Sequence, residues 1–99
     1  SPRDRALLAE VERLGQLDAG LLARVSEVEW SGKDLLLTVS VPDARVLVPA
    51  GAGTDRLRRL RAALAELDGR LAGHTGDAGP VHIDLRFQDQ VVVRFPSRA

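Results

Sequence analysis

A leucine stripe in the second half of the chain constrains the fold more than any other feature. Thr54 and Asp55 are typical of a helix N-terminus, and leucines then recur at intervals of three and four residues. The stripe comprises Leu57, Leu60, Leu64, Leu67 and Leu71. All of them share one side of the predicted helix, and each contributes roughly 1.5–3 kcal/mol when it is fully buried. Because the stripe covers only about two heptads, packing on a core is favoured over a coiled coil.

The segment before this helix supplies a surface for the stripe to cover. Between 26 and 48 the apolar period changes from helical to 2, with turn signals inside the segment. Leu35, Leu37 and Val39 occupy alternate positions, so one side of their strand faces the core. We therefore expect an antiparallel meander, which Pro49 and a glycine-containing connector end.

Two helices are predicted before the meander. Ser1, Pro2 and Asp4 favour a helix start, and Gly15 is predicted to stop that helix. A second, short helix is predicted to begin at Asp18. The order of elements predicts an α+β fold: a mostly antiparallel β-sheet, a long helix packed on one face, and short N-terminal helices. A chain of 99 residues has room for one core, so residues 1–99 are predicted to form a single domain.

Composition excludes several functions. The 14 basic and 14 acidic residues cancel, so the overall charge gives no reason to expect nucleic acid. The chain has no cysteine, which excludes disulfides, thiolate nucleophiles and cysteine-bound zinc. With two histidines, no metal site is predicted, and no cofactor is expected. A basic cluster on the leucine-striped helix is interpreted as a solvated face. Its members are Arg56, Arg58, Arg59 and Arg61.

The end of the chain predicts a β-hairpin. Apolar residues alternate from 81 to 87, and a second apolar strand follows from 91 to 95. A three-residue loop at 88–90 would put Leu85 opposite Val93 and keep every apolar pair on one side of the sheet.

The first strand of this hairpin also carries a pair of residues of the types that take part in catalysis. His82 and Asp84 share one face of the strand, and such a pair can serve as a general base in a hydrolase. Neighbours at this spacing lie roughly 7 Å apart, and the sequence commits no nucleophile beside them. A solvated polar face is therefore favoured. No catalytic residue is assigned, and the chain is expected not to be an enzyme.

The last strand is the most informative functional feature. It ends the predicted sheet, and among its outward positions only Arg94 is charged. An edge strand with unpaired amide and carbonyl groups is a template for a strand of another chain. We therefore expect β-augmentation along 91–95, in which main-chain hydrogen bonds provide affinity and alternate side chains provide selectivity.

The same hairpin carries the motif Asp84-Leu85-Arg86-Phe87, followed by a short turn and an aliphatic strand. In this motif, and in the order of the strand pair and striped helix before it, the chain resembles the FtsQ/DivIB family of bacterial cell-division proteins. The resemblance implies the extracytoplasmic β-domain of a single-pass membrane protein, without its transmembrane helix and POTRA domain. It also implies that the domain recruits FtsB/FtsL-type division proteins by adding a partner strand to the last strand of the sheet.

The resemblance further implies a set of partner-binding residues. They are Arg86, Phe87, Asp89, Gln90, Val91, Val93 and Phe95. Arg86 would pair with a partner carboxylate, and Phe95 occupies the position of an aromatic anchor. The chain departs from the family pattern at Gln90, where Gly or Asn is usual, and at Arg94, where some members carry a small residue.

A second hypothesis comes from a different functional class. The alternation of strands with a helix is also compatible with a small-molecule-sensing or dimerising module of the ACT-like or ferredoxin-like type. A ligand of such a module would raise its stability in a thermal-shift screen of metabolites.

Overall fold

The computed structural model describes residues 1–71 and 79–96. These ranges contain eight helices and strands, joined by turns and loops. The helices are α1 (Pro2–Leu17), α2 (Ala19–Leu22) and α3 (Thr54–Leu71). The strands are β1 (Val25–Ser31), β2 (Asp34–Val39), β3 (Ala44–Pro49), β4 (Val81–Asp84) and β5 (Val92–Arg94). Their order confirms the predicted α+β class. None of the described helices has the length and apolar character needed to cross a lipid bilayer.

The five strands form one open sheet in the order β1-β2-β3-β4-β5. Neighbouring strands pair antiparallel, except β3 and β4, which run parallel and are connected through α3. A parallel pair needs such a crossover, because a tight turn can only reverse the chain. Two main-chain hydrogen bonds extend this pairing by one residue at each end. Val81 N–H donates to the carbonyl of Asp43 before β3 (3.0 Å), and the N–H of Leu85 after β4 donates to the Leu47 carbonyl (2.9 Å). The final hairpin is thereby held beside β3, and β5 becomes an edge of the sheet.

One face of the sheet and the leucine stripe form a single core. The described stripe leucines are all buried, and Leu60 and Leu64 have no exposed surface. They pack in one cluster with alternate strand residues, of which Leu35 and Ile83 are among the largest. The side chain of Leu71, the fifth member of the stripe, lies outside the described ones. The intervening strand residues point away from this core, on what we call the open face of the sheet.

Helix α1 is tied to the same core through the connector between β3 and α3. Arg13 donates from Nη1 to the Ala52 carbonyl (2.6 Å), and Gly51 N–H donates to Glu10 Oε2 (3.1 Å). Glu10 and Arg13 also bond to each other (2.8 Å). The hydrogen bonds from Arg13 and from the Gly51 amide lower the pKa of Glu10, against the opposing effect of burial.

The prediction that Gly15 stops α1 is wrong. The helix continues to Leu17, and the Asp18 N–H still bonds to the Leu14 carbonyl (2.8 Å). Gly15 has a packing role, because a Cβ at this position would lie 2.8 Å from Cδ2 of Leu22 in α2. The glycine therefore permits the close approach of the two helices. Asp18 caps α2 as predicted, since its side chain accepts from Leu21 N–H (3.0 Å).

The predicted register of the final hairpin is also wrong. Ile83 pairs with Val93, and Asp84 pairs with Val92, so the strands are shifted by two residues and the loop is longer than three. The shift by two keeps the apolar residues on the core side, because the side-chain period of a strand is 2. The Asp84 carboxylate accepts from Arg86 N–H (2.9 Å), which turns the chain directly after β4 and explains the early end of pairing.

Replacement of a stripe leucine tests the packing of α3 on the sheet. We expect Leu60→Ala to lower the free energy of unfolding by about 2–5 kcal/mol, because it leaves a cavity in a close-packed core. Urea denaturation followed by the fluorescence of Trp30, the one tryptophan, measures this change. Leu8→Ala is the matched control: Leu8 is 59% exposed, so we expect a change within about 0.5 kcal/mol. Equal effects of the two variants would contradict the packing described here.

Candidate protein-interaction site

Main-chain hydrogen bonds determine how β4 is oriented between its neighbours. Val81 and Leu85 donate their N–H groups to carbonyls of the β3 segment. Successive residues of a strand direct their main-chain groups to opposite sides, so odd-numbered positions of β4 face β3. His82 and Asp84, which alternate with them, therefore direct their N–H and C=O groups toward β5.

This orientation identifies the main-chain groups that β5 presents at the edge. His82 pairs with Arg94 and Asp84 with Val92, so these two β5 residues face inward. Val93 lies between them and directs its N–H and C=O away from β4. Continued one residue beyond each end of β5, the same alternation would turn the main-chain groups of Val91 and Phe95 outward as well. Within 1–71 and 79–96 no strand pairs with this side of β5, and we call the row from Val91 to Phe95 the β5 rim.

A groove between α3 and β5 borders the rim on the core side of the sheet. It has a volume of about 210 Å³. Its lining residues are Ala63, Glu66, Leu67, Arg70, Val93 and Phe95. Phe95 is 52% exposed, which is unusual for a side chain of its size, and the buried Leu67 forms part of the apolar lining. A strand added at the rim would place every second side chain over this groove.

Arg86 is bound to its own chain. Its Nε lies 2.9 Å from Asp84 Oδ1, its Nη2 lies 2.7 Å from Asp84 Oδ2, and its Nη1 lies 4.0 Å from Asp34 Oδ2. These hydrogen bonds from the Arg86 side chain lower the pKa of Asp84 and outweigh the effect of burial. The same pair raises the pKa of Arg86. The acidic and basic residues of the Asp84-Leu85-Arg86-Phe87 motif thus bind each other.

Because Arg86 is bound to Asp84, a substitution of Arg86 does not test partner binding by itself. A partner carboxylate would have to compete with Asp84 for the guanidinium or use its remaining donor. An Arg86→Glu variant would put a third carboxylate beside Asp84 and Asp34, so it would disturb the fold together with any partner contact.

Two arginines of α3 hold the loop between β4 and β5. Arg56 donates to the Leu85 carbonyl (3.0 Å), and Arg59 donates to the Gln88 carbonyl. The sequence-based interpretation of a solvated face is thus wrong for these two residues and holds for Arg58, whose side chain is 75% exposed. Their spacing of three residues was a signal that both reach one neighbour. Their acceptors are backbone carbonyls, which leave no signature in a sequence.

The structure places the remaining predicted contact residues along one continuous stretch. Val93 lies in β5, with Val91 and Phe95 on either side of it, and these three form the rim. The loop before the rim contributes exposed residues, which are Phe87, Asp89 and Gln90. Of these, Phe87 is 44% exposed. The contribution of α3 to the groove, through Ala63 and Leu67, was not anticipated from the sequence.

The opposite edge of the sheet is less suited to strand addition. Strand β1 has an irregularity in its pairing between Val25 and Glu27, and a bulge of this kind disrupts the regular ladder. Glu27 and Glu29 add two exposed charges to β1. Charges and bulges are among the devices by which natural sheets blunt their edges. Strand β5 has one charged residue, Arg94, and no irregularity in its pairing with β4.

The geometry gives no support to the hydrolase hypothesis. Asp84 accepts its hydrogen bonds from Arg86, and within the described ranges no hydrogen bond joins it to His82. His82 is exposed on the open face. In the same ranges no three histidine, aspartate or glutamate side chains come together as a possible metal site.

Comparison of the chain with protein-family models, with curated proteins and with solved structures finds no match.

The ion pair between Asp84 and Arg86 predicts a pH dependence. Because the folded-state pKa of Asp84 is lowered, the unfolded chain takes up the proton first as the pH falls below about 4. The pair therefore stabilises the fold above that pH and stops doing so as the pH falls through the lower, folded-state pKa. We expect Asp84→Asn to flatten the dependence of unfolding free energy on pH between about 2 and 5.

Urea denaturation at a series of pH values measures this slope. Leu8→Ala, which removes no carboxylate, is the control and should leave the slope unchanged. If the Asp84→Asn protein kept the slope of the original chain, the pair would make no contribution to acid sensitivity.

Proposed function

We propose that this chain is a non-enzymatic recruitment domain that binds another protein by adding a strand of that protein to β5. The observation that carries the proposal is the outward orientation of the main-chain groups of Val93 at an edge with no strand beside it in the described residues. Unpaired edge groups bind an extended segment through a ladder of main-chain hydrogen bonds. The groove beside Phe95 adds an apolar surface for its side chains.

The resemblance of the Asp84-Leu85-Arg86-Phe87 hairpin to the FtsQ/DivIB family supports a more specific form of the proposal. In that form the chain is the extracytoplasmic β-domain of a division protein anchored by one transmembrane helix. Its partners are FtsB/FtsL-type proteins, and recruitment of these partners contributes to septum formation. The support is that the family's contact positions include Val93, whose main-chain groups turn outward, and its rim neighbours Val91 and Phe95.

The alternative of an ACT-like or ferredoxin-like regulatory module has less support. The ferredoxin-like arrangement is βαββαβ, with a helix in each half. Here two helices come first, the three strands of a meander follow, and one further helix separates the meander from the final hairpin. The β-augmentation proposal is therefore the one that the arrangement of elements favours.

A proline at the rim tests strand addition directly. Val93→Pro removes the outward N–H of this residue and leaves the inward-facing pairs of Val92 and Arg94 in place. We expect it to weaken binding of the purified extracytoplasmic FtsB–FtsL-type complex from the same organism by about tenfold or more, since one main-chain hydrogen bond is lost and the ring obstructs the approach. Titration calorimetry measures the affinity.

Val93→Ala is the matched control, because it shortens the same side chain and keeps the N–H. Affinities of the two variants that agree within error would contradict strand addition at β5. Amide hydrogen exchange of the original chain provides a second measurement that needs no substitution. The Val92 amide should exchange slowly with and without partner, whereas the Val93 amide should become slow only in the complex. A Val93 amide that stays fast in the complex would also contradict the proposal.

A further inference from the structure

Three basic side chains form a row on the open face of the sheet. Arg45 of β3 lies directly opposite His82 of β4, and His82 lies directly opposite Arg94 of β5. All three residues are exposed. Because adjacent strands are about 4.8 Å apart, the two arginines are separated by roughly 10 Å of sheet. We call Arg45, His82 and Arg94 the basic row.

In the described part of the chain, no member of the basic row has an acidic residue directly opposite it on a neighbouring strand. None of its members takes part in an ion pair there. The charge of Arg94 contributes to the lowered pKa of Asp84, but that carboxylate is bound in a two-point contact by Arg86. The positive charge of Arg94 is thus left at the edge where a further strand would attach.

A strand added at β5 would extend the basic row by one residue. Arg94 directs its own main-chain groups toward β4, so in an antiparallel addition the residue opposite it forms a non-hydrogen-bonded pair. Side chains approach each other most closely in pairs of this kind. A carboxylate at that position would be attracted by Arg94, and a lysine or arginine would be repelled.

In the added strand, the residues before and after the one opposite Arg94 would point to the other face of the sheet. There they would lie over the groove that Leu67, Val93 and Phe95 line. The charges at its margin, Glu66 and Arg70, are paired with each other (3.2 Å), so the groove offers an apolar surface without an unpaired charge. Its volume of about 210 Å³ suits aliphatic or aromatic side chains.

We infer that the segment recognised at β5 is an extended acidic one, with an aspartate or glutamate opposite Arg94 and an apolar residue on each side of it. This inference rests on the proposed strand addition and names the chemistry that selects the partner. Main-chain hydrogen bonds hold any extended segment at the rim, and the charge of Arg94 decides which segment is held best.

Three synthetic peptides of the form Thr-Val-Thr-Val-X-Val-Thr-Val-Thr, with X as Glu, Gln or Lys, test the inference. Their binding to the full 99-residue chain is measured by fluorescence anisotropy at low salt. We expect the Glu peptide to bind about three- to tenfold more tightly than the Lys peptide, with the Gln peptide between them. This preference should shrink in 1 M salt, where the Debye length is about 3 Å.

Charge reversal at Arg94 should reverse the order. Arg94→Glu is expected to bind the Lys peptide more tightly than the Glu peptide. Arg58→Glu makes the same change of net charge on an exposed residue of α3 and should keep the original order. Reversal with Arg94→Glu alone supports the inference, whereas an unchanged order in that variant overturns it.

The two proposals fail in different ways. Equal binding of all three peptides, abolished by Val93→Pro, would overturn the acidic preference and leave strand addition standing. Binding that Val93→Pro does not affect, or no binding of any peptide, would count against strand addition at β5 and against the inference with it.

Discussion

Burial of the α3 leucines against one face of the sheet is the interaction on which the rest of the structure depends. Helix α3 connects β3 to β4 across the covered face, and this crossover allows the two strands to run parallel. The final hairpin is therefore added at the far side of β3, and its second strand becomes the edge. The same burial gives the sheet one covered face and one open face. The rim, the groove and the basic row all follow from this arrangement.

Arginine serves two separate purposes around this edge. Arg56, Arg59 and Arg86 bind acceptors of the protein itself and give the loop before β5 its shape. A guanidinium suits this purpose, because its planar array of donors can satisfy a carboxylate or several carbonyls at once. Arg45 and Arg94 lie on the open face and form no ion pair among the described residues. The first three arginines thus fix the shape of the loop before β5, and Arg45 and Arg94 give the open face of the sheet its positive charge.

The asymmetry between the two edges connects the fold to the proposed function. Strand β1 carries two glutamates and a pairing irregularity. Strand β5 pairs with β4 without irregularity and has an apolar groove beside it. A protein selected only to avoid edge-to-edge association would be expected to blunt both edges. The difference is consistent with an edge kept available for a partner. Assignment of that partner to the FtsB/FtsL type stays a prediction that depends on the hairpin motif.

Periodicity in the sequence determined the elements, because apolar spacing of 3.6 or 2 is a local property that the chain carries into any fold. The stripe from Leu57 and the alternation around Ile83 were predictable for this reason, and so was the position of the last strand. Only the tertiary structure decided that Gly15 permits the close approach of two helices, that Arg86 binds Asp84, and that the hairpin register is shifted by two residues. These outcomes depend on which distant or competing acceptors a group meets, and sequence spacing carries no information about such contacts.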